Sequence, residues 1–118
     1  MSETIDRLRQ RFLKDPLPIR LGNLAATLGR IASSARESSS PSVVADLLDE
    51  AKHLIEWTAA DTEAETGAEL VQLQRLISLW LCAWPKASTE RPQRVLLSVE
   101  AKGWSDRVLD ASGLIPRN

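Results

Sequence analysis

Cysteine, histidine and tyrosine are nearly missing from this 118-residue chain, and the gaps bound its chemistry. It has one cysteine (Cys82), one histidine (His53), one phenylalanine (Phe12) and no tyrosine. A lone cysteine excludes an internal disulfide. One thiol and one imidazole do not complete a zinc site. Glu50-Ala-Lys-His53 has the Glu-x-x-His spacing of four-helix di-iron proteins. Such sites, however, need a second motif of that kind and two further carboxylates. Glycine-rich phosphate loops and the Gly-x-Ser-x-Gly nucleophile elbow are absent as well. Covalent catalysis would require Cys82 activated by His53. Cys82 lies between Leu81 and Ala83 in the most apolar part of the chain, where a buried, inert thiol is expected. No catalytic, metal-binding or cofactor-binding residue is assigned, and the chain reads as a non-enzyme.

Long hydrophobic runs are also lacking. The uncharged run from Leu76 to Pro85 is about half the ~20 residues that a bilayer span needs. The amino terminus carries charges but no apolar signal core, so the expected location is cytoplasmic. A formal net charge of −1 argues against general affinity for nucleic acid or membrane. No stretch alternates as a strand does, and no internal repeat occurs.

What is present is helical periodicity. Leu70, Leu73, Ile77, Trp80 and Trp84 step by three and four along one helix face. Between Leu76 and Trp84 only Ser78, Cys82 and the indole N–H of Trp80 are polar, so this segment reads as a core helix wrapped by the others. A shorter amphipathic helix over 3–13 (Ile5, Leu8, Phe12) is stopped by Asp15-Pro-Leu-Pro18. A second helix over 17–37 carries the seam Leu17, Leu21, Leu24, Leu28, Ile31 and Ala35. Beside that seam runs a small-residue stripe of Gly22, Ala25, Gly29 and Ala32. Each mid-helix glycine costs about 1 kcal/mol relative to alanine, which calls for a neighbouring helix backbone at close range or, failing that, a ligand in a groove.

The serine run before Pro41 is a loop, with Ser40 as N-cap and Pro41 in the first helical turn. The third helix spans 41–60 along Val44, Leu48, Ala51 and Ile55, and the fourth spans 62–84 and ends at Pro85. Thr89 is expected to cap the fifth, 90–111, which follows Leu97, Ala101, Trp104 and Val108. Lys102-Gly103 followed by Trp-Ser-Asp favours a break at 103, against the phase of that seam. Short connections make consecutive helices antiparallel. The expected fold is therefore all-α: a single-domain, up-and-down antiparallel four-helix bundle with a short additional amino-terminal helix across one end or edge.

Two features bear on function. From Asp46 to Glu69 there are eight acids against Lys52, whereas the flanking segments 1–45 and 70–118 are each +3. Four tryptophans are the other. Trp80 and Trp104 fall on core seams, and Trp84 at its helix end suits an indole with a wet N–H. Trp57 lies off the seam, either covering the edge of the first helix or anchoring a partner. Glu50, His53, Trp57 and Asp61 follow by three, four and four and share one acidic face. That face is the candidate partner-binding surface of a non-enzymatic helical interaction module, a small adaptor, regulator or subunit. The partner is another protein or a second copy of this chain. The alternative is a small-molecule-binding bundle or minor enzyme using a groove between helices.

Overall fold

The computed structural model describes residues 2–37 and 39–114. They form five α-helices and no strand: α1 (Ser2–Leu13), α2 (Leu17–Ala35), α3 (Pro41–Glu56), α4 (Ala64–Ala87) and α5 (Arg91–Ser112). A short 3-10 helix, Ala59–Asp61, links α3 to α4. The chain is an all-α helical bundle.

Cross-helix hydrogen bonds fix the antiparallel order. Ser98 and Ser105 of α5 donate to the Ala32 and Ala25 carbonyls of α2 at 2.6 and 2.7 Å. Trp84 Nε1 and Gln74 Nε2 of α4 donate to the Pro41 and Lys52 carbonyls of α3 at 2.9 and 3.0 Å. Between α2 and α3, Thr27 reaches Glu50 at 3.1 Å while Arg20 reaches the Trp57 carbonyl at 3.2 Å. The core lies where the seams meet: Leu24, Leu28, Ile31, Leu48, Ile55, Ile77 and Leu97 are fully buried.

The small-residue stripe accounts for the tightest packing, α2 on α5. Ala25, Gly29 and Ala32 let the α5 serines approach the α2 backbone closely enough to bond its carbonyls. Gly22 is covered by Leu114, so the stripe is occupied along its length.

Several boundaries depart from the periodicity. α3 ends at Glu56 and not at 60, and α4 begins at Ala64 and not at 62, the Thr62 hydroxyl bonding back to the Ala59 carbonyl at 2.8 Å. α4 continues two residues past Pro85, because a proline in the last turn forfeits only one hydrogen bond. The Ser88 N–H closes that turn on the Trp84 carbonyl at 2.8 Å. α5 runs unbroken through Gly103, since burying Leu97, Ala101, Trp104 and Val108 outweighs one glycine. Glu90, not Thr89, holds its N-cap position, and the Thr89 hydroxyl bonds the Lys86 carbonyl. Gly113 closes α5 in the left-handed region at φ 73°. Ser40 does stand at the N-cap of α3, but its side chain makes no capping bond.

The largest correction concerns α4. Its seam of Leu70, Leu73, Ile77 and Trp84 is buried, yet Leu79 is 66% exposed, Leu76 39%, and Cys82 is exposed rather than buried. The serine bonds hold α5 against α2, so α4 and α5 barely touch and the fourth seam of the bundle stays open. No described helix is long and apolar enough to cross a membrane.

Candidate interaction surfaces

The face expected from the sequence is divided by the fold. His53 stacks on Trp57 one turn later, with ring centroids 5.6 Å apart and planes inclined by 21°. Asp49 and Glu56 flank the imidazole at 3.6 and 3.5 Å. The indole is half-buried, and its other neighbour is Phe12 of α1, at 6.0 Å between centroids. Glu50 turns towards α2, where it accepts from Thr27 at 3.1 Å and lies 3.6 Å from Arg30. Asp61 is held by Arg20 at 3.0 Å. The structure thus joins His53 to Trp57, sets Asp61 beside them through Arg20, and sends Glu50 to another helix. A cleft of about 540 Å³ remains between Ile5, Arg9 and Leu13 of α1 and His53, Trp57 and Asp61.

Arg20 carries no signal in the sequence beyond an i+3 place after Leu17, yet it is 8% exposed. Its guanidinium donates to the Asp15 and Trp57 carbonyls, both at 3.2 Å, and to the Asp61 carboxylate. It thereby satisfies a carbonyl at the end of α3 and ties the α1–α2 turn to the 3-10 helix.

The second surface is the open seam. On α4, Leu76 and Leu79 face outward; on α5, Leu96 and Val99 do so at 44% and 57% exposure. Trp80 Nε1 bridges the two helices by donating to Glu100 at 3.2 Å. Towards the α4 N-terminus the helices diverge into a groove of about 250 Å³. Leu70, Leu73, Leu76, Trp104 and Val108 line it, Leu21 of α2 contributes to its lining, and Glu69 and Arg107 border it. Both helices therefore leave large apolar side chains exposed, with the Glu100 carboxylate set between them at Trp80. The sequence held the sign of this surface, an α4 apolar beyond its own seam, but that periodicity points to a helix wrapped by the others, which the fold leaves open on this side.

Trp84 and Trp104 are buried, at 2% and 3% exposure, so the Trp84 N–H meets the Pro41 carbonyl and not water. Among the described residues no group of three or more His, Cys, Asp or Glu side chains is placed to hold a metal ion. No family model, curated protein or solved structure matches this chain.

Proposed function

We propose that this chain is a non-enzymatic helical protein-interaction module that binds through its α4/α5 face. That face is favoured over the one bearing Glu50, His53, Trp57 and Asp61, whose groups are already engaged within the chain. The observation that carries the reading is the exposure of Leu76, Leu79, Leu96 and Val99 on α4 and α5, together with a solvent-open groove between these helices that Leu76 also lines. Contiguous apolar surface on a folded chain marks a place where something docks. The occupant is a protein and not a small molecule: at about 250 Å³ the groove is smaller than the ~300–1,000 Å³ of ligand sites. It suits one or two side chains from a docking helix. An exposed free thiol at Cys82 suits a reducing compartment, and a cytoplasmic location is part of this proposal.

A photo-crosslinking residue at position 79, introduced in the cell of origin, tests the reading. One discrete crosslinked protein is expected from position 79, and none from a control at exposed Asp46. A smear, or no adduct at 79, overturns it.

A further inference from the structure

We propose that the occupant of the α4/α5 face is a second copy of this chain, with the two α4 helices antiparallel about a two-fold axis. The proposal rests on reading that face as a docking surface, and it adds the partner.

The argument begins with charge. Along this face the two ends differ in sign. Glu63 at the N-cap and Glu65 and Glu69 in the first turns of α4 outnumber Arg107 of α5, which shares the groove with Glu69, whereas at the other end Lys86 of α4 and Arg91 and Arg94 in the first turn of α5 outnumber Glu90. A partner that is basic throughout would be repelled at one end, and an acidic one at the other. A copy turned end for end meets each end with its opposite, because a two-fold interface places the same patch on both sides.

Helix geometry then sets a register. When Leu76 lies opposite Leu79 of the second copy, Gln72 meets Ala83 and Glu69 meets Lys86. All six positions fall on the outward side of α4, and the symmetry makes every pair twice. The leucines take the centre, where apolar contacts are most protected from water, and the Glu69–Lys86 pairs take the rim. Leu96 and Val99 of α5 extend the apolar centre sideways.

Size agrees. α4 has 24 residues, about 36 Å of helix, and two neighbouring helices are about 20 Å wide. The resulting face of roughly 700 Å² per copy is close to the ~800 Å² per partner of a standard stable interface.

Sedimentation equilibrium of the purified full chain tests the proposal. A dimer of twice 13.0 kDa is expected at micromolar concentration, weakening as salt rises. Leu79→Glu should weaken it at least ~10-fold while leaving the helical circular dichroism unchanged, since Leu79 is already 66% exposed. Glu69→Lys and Lys86→Glu should each weaken it about 3–10-fold, and the two combined in one chain should restore it to within about twofold. A monomer at every concentration, a dimer indifferent to Leu79→Glu, or a charge swap that fails to rescue each overturns the proposal. A monomer in isolation that still gives one adduct with a different protein at position 79 removes the dimer and keeps the docking surface.

Discussion

At Gly103 an added methyl group would meet no heavy atom within 4 Å, whereas at Gly29 it would sit 3.5 Å from the Ser105 hydroxyl. Both glycines are mid-helix, so both forgo helix propensity, but only one is repaid by its surroundings. Gly103→Ala should raise stability by about 0.5–1 kcal/mol in denaturant unfolding. Gly29→Leu should lower it by about 1–3 kcal/mol, because the longer side chain must push α5 away and break the Ser105–Ala25 bond. Equal responses at the two positions would sink this account. The Gly29 stripe could be read from the sequence, since small residues at helical spacing have few other uses. What separates Gly29 from Gly103 could not, because it depends on which helix lies opposite. Arg20 illustrates the same limit: its burial follows from three acceptors brought together from the α1–α2 turn, the end of α3 and the 3-10 helix.

Among the elements, α1 is the least secured. It reaches the bundle chiefly through Phe12, packed near Trp57, which in turn stacks on His53. Helices α2 and α5, by contrast, share serine-to-carbonyl bonds and a continuous small-residue interface. Trp57→Ala should therefore release α1: proteolysis within the Lys14–Pro16 turn should accelerate, and stability should fall by about 1–3 kcal/mol for a half-buried indole. An unchanged cleavage rate and thermal midpoint would return Trp57 to the role of a free surface anchor. The helices themselves were legible because each carries a 3-4 seam. Their ends were less so: Thr62 and Thr89 resemble caps, yet their hydroxyls serve carbonyls in the preceding turns. The fate of the second apolar side of α4 was not legible either. Periodicity says that a helix has a second apolar stripe, but not whether another helix reaches it.

The whole molecule is a bundle closed on three seams and open on the fourth, and its stability should be graded accordingly. α2 is covered by both α5 and α3, and α3 by both α2 and α4, so the amides of these two helices should exchange with solvent only on global unfolding. α1 should exchange fastest, by local opening. α4 is held on one side by α3, through Trp84, Gln74 and the buried Leu70–Ile77 seam, and should lie between these extremes. If a second copy docks on its exposed side, α4 gains the cover that the monomer withholds, and mass action makes that gain depend on concentration. Native-state hydrogen exchange at two protein concentrations separates the possibilities. Amides of α4 and of the first half of α5 should slow as concentration rises across the dimer range, α1 should be indifferent to it, and Leu79→Glu should abolish the difference. Uniform slowing in every helix would mean that association reports only on global stability. No slowing in α4, in a sample that sedimentation shows to be dimeric, would mean that the copies meet elsewhere and that the open seam serves another protein.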